Sequence, residues 1–246
     1  NGLRGVQQML LRPLLARAER LVAVANFEIE FYGQRLRLPA ERFVYIPNGA
    51  EIAEAERPAS PVHSSLIASV GRLERYKGHQ RAITALPYII QQRPDIRLWI
   101  AGAGPYKSEL ERLAAGLGVA DRVEIRAIPA EERTTMAAEL AKAALVMVLS
   151  EYETHPIAAL EALALGRPLL VTATAGLREL AERGLARAVP LTSTAKQVAA
   201  AALEQLQRPL LPAELTLPSW DECARDLLSL YRACVYGQQA STRLRP

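Results

Sequence analysis

The sequence predicts an α/β protein: a doubly wound parallel sheet covered by helices, with a partial second α/β domain ahead of it. Three observations carry that prediction. From Leu66 onward, short apolar runs of strand length alternate with stretches of helical periodicity. The runs are continuous in Val, Ile, Leu and Ala rather than alternating with polar residues, as in strands buried on both faces. Half of the 246 residues are hydrophobic but only 5% are aromatic, an Ala/Leu/Val-rich mass suited to helices packed on strands. That length holds one large domain, or one and a half smaller ones.

Residues 2–19 place Leu3, Val6, Leu10, Leu11, Leu14, Leu15 and Ala18 at helical spacing, with Arg4, Arg12 and Arg17 among them. A helix packed on a sheet is expected, and a membrane-surface helix is the alternative. A strand at 21–25 follows, then a helix from Asn26 to about Leu36, then a strand at 43–46 closed by the turn Pro47-Asn48-Gly49. Residues 51–65 form a charged, Pro-containing connector that holds His63 and marks a domain boundary. The main domain is expected over 66–218. Its strands are read at 66–70, 96–101, 123–127, 144–149, 168–172 and 186–190. Its helices are read near 79–92, 106–117, 131–141, 156–165, 176–183 and 193–207. Pro209, Pro212 and Pro218 break the helical pattern, a last amphipathic helix runs from Trp220 to about Val235, and a polar tail covers 237–246. The chain opens on Asn1 and its first methionine is Met9, so it is expected to be a piece of a longer protein.

Ligands of doubly wound folds sit at the carboxyl ends of the strands, so the loops there carry the chemistry. The loop after 66–70 runs from Gly71 to Gly78 and sets Arg72, Arg75 and Lys77 beside a helix N-terminus. A phosphate there would gain charge-assisted and backbone hydrogen bonds together; a solvated basic loop is the plain alternative. The loop is neither a Walker A sequence nor a Gly-x-Gly-x-x-Gly fingerprint. After 96–101, Gly102 and Gly104 in Gly102-Ala103-Gly104-Pro105 permit a tight turn or close backbone approach.

The stretch from Ser150 to Gly166 holds the acids. Its loop ends at Pro156 and feeds a short helix that stops at Gly166. Glu153 lies in the loop and Glu161 in the helix. Eight residues would place them about 80° out of register on one continuous helix, so the loop must set their relation. Acids near a helix start are often only structural, and a paired-acid hydrolase is a further reading. No Asp-x-Asp occurs and the three histidines are scattered, so no metal site is expected. The net charge of +4 is spread out and not interleaved with aromatics, so nucleic-acid binding is not indicated. Cys223 and Cys234 on one helix would lie about 16 Å apart, too far for a disulfide, which fits a reducing compartment. No apolar run reaches the roughly 18 residues of a membrane span.

Together these residues resemble the C-terminal, nucleotide-sugar-binding half of a GT-B glycosyltransferase of family GT4. The pattern is Gly71-Arg72-Leu73-x-x-x-Lys77-Gly78, then Gly102-x-Gly104-Pro105, then Glu153 and Glu161 with seven residues between them, then Gly166-Arg167-Pro168, Gly176 and Glu179. Each piece is modest alone, but the order and spacing are specific. The resemblance implies a Rossmann-like donor domain, with residues 1–50 as the end of an N-terminal acceptor domain and the helix at 219–236 crossing back to it.

The resemblance also implies roles. Arg72 and Lys77 would hold the donor diphosphate and offset its charge as it leaves, and Glu153, the third residue assigned to catalysis, would bind a hydroxyl of the donor sugar. Glu161 would take the ribose hydroxyls. Gly71, Gly102 and Gly104 would line the donor site, Arg126 to Ile128 would meet the base, and Thr154, His155, Pro156 and the backbone at Ile157 and Ala158 would meet phosphate or sugar. Transfer would retain the anomeric configuration and need neither metal nor cofactor. The donor would be a UDP-, GDP- or ADP-sugar, and the acceptor a sugar or lipid-linked sugar of the cell envelope. A cytoplasmic site follows, with membrane contact through the N-terminal domain. Two departures stand out. Thr154 takes a position where the family usually has glycine, and Pro156 removes a donor N–H. Both bear on the sugar pocket rather than the phosphate site. The family's catalytic histidine belongs to the absent half, and none of His63, His79 and His155 is assigned that role.

Overall fold

A computed structural model of the chain describes residues 10–50, 64–212 and 215–236. It divides into two units, one of Asn1–Glu51 with Pro218–Pro246 and one of Ile52–Leu217. The connector at 51–63, the start of the first helix and the polar tail lie outside the described residues.

In the first unit, residues 10–15 are helical (α1), followed by β1 (Leu21–Ala23), α2 (Asn26–Leu36) and β2 (Phe43–Tyr45). The two strands pair in parallel, Leu21 opposite Phe43. α2 ends where Arg37 turns left-handed at φ 51°, and its N–H reaches back to the Gln34 carbonyl.

The larger unit holds β3 (Leu66–Val70), α3 (His79–Ile90), β4 (Arg97–Ala101), α4 (Lys107–Gly116), β5 (Val123–Ile125), α5 (Arg133–Ala141), β6 (Leu145–Val148), α6 (Ile157–Ala164), β7 (Leu169–Thr172), α7 (Ala175–Glu182), β8 (Arg187–Val189) and α8 (Ala195–Gln207). Its six strands are parallel, in the order β5-β4-β3-β6-β7-β8. All four residues of β6 and all four of β7 are buried. Successive strand residues point to opposite faces, so both faces of the sheet are covered, which is why these strands need continuous apolar runs. On one face α3, α4 and α8 bring Ile83, Leu86, Leu110 and Leu203 against Ile67, Ile100 and Met147. A capping box of Thr194 and Gln197 starts α8.

The chain leaves β3 toward β4 and β5, then returns to β6 on the other side. That reversal opens a crevice at the carboxyl ends of β3 and β6, where the sheet leaves room for a ligand. The last helix, α9 (Trp220–Tyr236), belongs to the first unit, where Cys223 and Leu230 pack on Ile46. Both cysteines are free.

The sequence boundaries shift by a residue or two at most elements. α5 starts at Arg133 rather than 131, because the Glu132 N–H closes a turn onto the Pro129 carbonyl at 3.0 Å. α6 starts at Ile157, with Pro156 as its cap rather than its first residue.

Candidate functional site

The basic loop after β3 is tied down by its one aliphatic side chain. Leu73 is fully buried, its N–H donates to the Ala103 carbonyl at 2.9 Å, and its own carbonyl accepts from Tyr106 at 2.9 Å. The loop is therefore stitched to the one after β4. The approach is close: a Cβ on Gly102 would stand 1.9 Å from the Gly71 carbonyl oxygen. At the far end Gly78 turns left-handed at φ 78°, and a Cβ there would stand 1.9 Å from the Leu149 carbonyl oxygen at the end of β6. Glycine at this position lets the β3 loop press on the β6 loop.

Beneath the basic loop lies His79, only 1% exposed. Its Nδ1 is 2.9 Å from the Ser69 hydroxyl and its Nε2 is 3.2 Å from the Arg72 carbonyl oxygen. A carbonyl can only accept, so the network assigns the proton to Nε2 and has Ser69 donate to Nδ1. Burial pushes the imidazole pKa below its ordinary value, against the raising effect of the backbone contacts to Arg72 and Gly71.

Across the switch point, the Lys77 ammonium donates to Glu153 Oε1 at 2.7 Å, with both side chains largely buried at 16% and 15% exposed. This pair joins the basic loop to the acidic loop. The Ser150 hydroxyl sits 2.8 Å from the same carboxylate oxygen, and the Ser150 carbonyl accepts from the hydroxyls of Thr172 and Thr174 at the end of β7. The Gly176 N–H donates to the Glu153 carbonyl at 2.9 Å. Glu153 is thus fixed by β6, β7 and the start of α7 together.

Beside this bridge lies a cavity of about 270 Å³, between the ends of β3 and β4, the loop after β5, and helices α5 and α6. Gly71, Gly102, Ile128, Met136, Arg133 and Glu161 line it. Glu161 Oε1 accepts from the Arg133 guanidinium at 2.9 Å. Burial raises the Glu161 pKa above its ordinary value, and Arg133 pulls in the opposite direction.

The structure thus joins Lys77 to Glu153, and sets Gly71, Gly102, Ile128 and Glu161 around one cavity. Other expected residues belong neither to that pair nor to the cavity lining. Arg72 is exposed, donating to the Tyr76 hydroxyl at 2.6 Å and pairing with Glu74 at 2.9 Å. The Arg126 guanidinium pairs with Glu124 at 2.7 Å and lies over the Trp99 ring at 5.3 Å, outside the cavity lining. Gly104, Thr154, His155, Pro156, Ile157 and Ala158 are also outside that lining. The Ile157 N–H already donates to the His155 carbonyl at 2.9 Å. Arg133, His79 and Ser150 are additions. Arg133 carried a weak signal, as a cation two residues beyond the expected helix start; His79 and Ser150 carried only their positions at strand and helix ends. Among the described residues no group of three or more His, Cys, Asp or Glu side chains could hold a metal. No described helix is long and apolar enough to cross a membrane.

A parallel six-stranded sheet reversing at β3/β6, with a basic loop and an acidic loop meeting there, defines an α/β domain of the GT-B glycosyltransferase fold. The chain belongs to the glycosyl transferases group 1 family, whose model matches residues 52–215. It is 37% identical over 115 residues to a GDP-mannose-dependent alpha-(1-6)-phosphatidylinositol dimannoside mannosyltransferase of Mycobacterium tuberculosis, covering 47% of this chain and 29% of that one. A D-inositol 3-phosphate glycosyltransferase of Nocardiopsis dassonvillei is 27% identical over 263 residues, covering 94% and 58%. Among solved structures, sucrose-phosphate synthase from Thermosynechococcus elongatus superposes with a TM-score of 0.73 at 23% identity, over 95% of this chain and 62% of that one. The pneumococcal O-GlcNAc transferase solved with UDP and GlcNAc gives 0.71 at 14% identity, over 93% and 47%. The chain spans less than two thirds of the length of each of these relatives.

Proposed function

We propose that the chain carries the donor-binding part of a retaining, metal-independent glycosyltransferase that uses a nucleotide-diphosphate sugar. The observation that carries this reading is the Lys77–Glu153 bridge at 2.7 Å beside a cavity whose charged lining is Arg133 and Glu161. In a donor complex the diphosphate takes the place beside Lys77, and Arg72 turns from Glu74 and Tyr76 to reach it. The Lys77 ammonium exchanges Glu153 for a phosphate oxygen, which frees that carboxylate for a hydroxyl of the donor sugar. The nucleoside enters the cavity, with its ribose diol donating to Glu161. As the bond from the sugar C1 to the β-phosphate oxygen breaks, negative charge builds on the diphosphate. Cations brought to it there lower the barrier, because they interact more strongly with the leaving group than with the intact donor.

The acceptor is a sugar or lipid-linked sugar of the cell envelope, the reaction runs in the cytoplasm or at the inner membrane face, and these 246 residues by themselves bind donor without transferring it. One structural neighbour was solved with UDP and GlcNAc, and one relative depends on GDP-mannose, so a nucleoside diphosphate carrying either base is a sensible first probe. Thermal-shift screening against UDP, GDP, ADP and their common sugars tests the reading. A ligand at a hundred times its Kd stabilises the fold by about 2.7 kcal/mol, a readable shift. No shift with any of them contradicts it.

A further inference from the structure

The charged side chains that line the cavity are Arg133 and Glu161, and they hold each other. The surroundings are apolar or glycine: Gly71, Gly102, Ile128 and Met136 among them. Such a cavity accepts a flat ring, but side-chain recognition of that ring's polar edge has few sources. If Glu161 takes the ribose diol, the side chain left to read the base is Arg133. Arg133 is 60% exposed, so its guanidinium is not packed in place and can turn from the carboxylate toward a ring in the cavity. Arg126, the arginine that the motif points to for the base, is held by Glu124 and Glu139, lies over Trp99 and does not line the cavity.

A guanidinium is a fork of donors with no acceptor. It matches an edge that offers two adjacent acceptors and clashes with one that offers a donor. Guanine presents O6 and N7 side by side, whereas adenine sets an amino donor beside its N7. Uracil sets its O4 beside an N–H. We propose that Arg133 is a specificity-determining residue that makes this site prefer a guanosine nucleotide over an adenosine one. This rests on the donor-site reading above.

Calorimetric titration of the chain with GDP, UDP and ADP, repeated with Arg133→Met and Arg133→Lys, tests the proposal. Arg133 sits at the exposed start of α5, and melting curves of the variants check that they fold. The readout is the ratio of GDP to ADP affinity. Loss of its partner also alters Glu161, but that acts on the ribose common to both nucleotides and cancels in the ratio. GDP is expected to bind most tightly to the unaltered chain. The GDP-to-ADP ratio is expected to fall by about 5- to 150-fold in Arg133→Met, the range of one bidentate base contact. Arg133→Lys keeps the charge but not the fork, so it recovers little of the ratio. An unchanged ratio in Arg133→Met, full recovery by lysine, or tighter binding of UDP or ADP than GDP by the unaltered chain overturns the base assignment alone. Absence of binding by all three nucleotides overturns the donor-site reading and the base assignment with it.

Discussion

Burial disfavours the charged form of both Glu161 and His79, and so shifts their pKa values in opposite directions. The Glu161 pKa is raised from its ordinary 4.5, mainly by desolvation, although Arg133 works against the shift. A carboxylate in this state favours the folded protein most below 4.5, and that contribution is lost as pH rises through the raised value. The proposed ribose contact uses the ionised form, so binding runs the other way. Nucleoside diphosphate affinity is expected to weaken on acidification at a pH above the ordinary glutamate range, and a pH series of Kd values for the chain and for Glu161→Gln measures it. The Gln variant should bind more weakly and lose the acid dependence. His79 is lowered from 6.5, chiefly by desolvation. Its contribution to stability is present above 6.5 and lost as pH falls through the lowered value, because the unfolded chain takes up a proton that the folded one resists. Melting temperatures taken on either side of 6.5 should fall toward acid, and His79→Gln should flatten that slope while keeping an N–H near the Arg72 carbonyl.

At the scale of elements, loops after β3 and β6 form the site because their backbones press together. Gly78 stands at that contact. Gly78→Ala puts a side chain at a left-handed φ and drives its Cβ onto the Leu149 carbonyl. A left-handed alanine costs about 1–2 kcal/mol before the clash is counted, or roughly 2–8 °C in Tm for a unit of this size. Gly116→Ala is the control: it closes α4, has open space where the Cβ would go, and should stabilise by about 0.4–1 kcal/mol. Differential scanning calorimetry of both variants separates the two signs. The strands were legible in the sequence because burial on both faces forces continuous runs such as Leu145–Val148. That the loops of Lys77 and Glu153 both lie at carboxyl ends of strands was legible, but their direct pairing was not, because it depends on β3 and β6 being neighbours in the sheet. Nor was the partner of Glu161. Arg133 is one of many arginines on helices, and its pairing depends on how α5 is rotated toward α6, which no local pattern encodes. The direction of Arg126 was hidden for the same reason, since Glu124 on its own strand and Glu139 on α5 draw it away from the cavity. His79 gave no signal, because a histidine after a glycine reads as a surface helix start until the fold buries it.

For the molecule as a whole, the larger unit is a sheet covered on both faces with a full core, while the smaller one leaves apolar groups in solvent. Leu14, Tyr231 and Val235 are 65%, 61% and 73% exposed, and the strands described there are two. Exposed apolar groups of this kind promote association, so sedimentation velocity should show the chain self-associating as its concentration rises, and Leu14→Glu with Val235→Glu should reduce that. In the larger unit, the proposed site has Lys77 and Arg72 hold a diphosphate opposite the carboxylates of Glu153 and Glu161. Calorimetric titration with GDP of the chain, Arg72→Ala and Lys77→Met tests it most directly. A charge-assisted phosphate contact contributes about 1.5–3 kcal/mol, so each variant should bind roughly 10- to 150-fold more weakly while melting as a folded protein. Affinity unchanged in both variants would contradict the account.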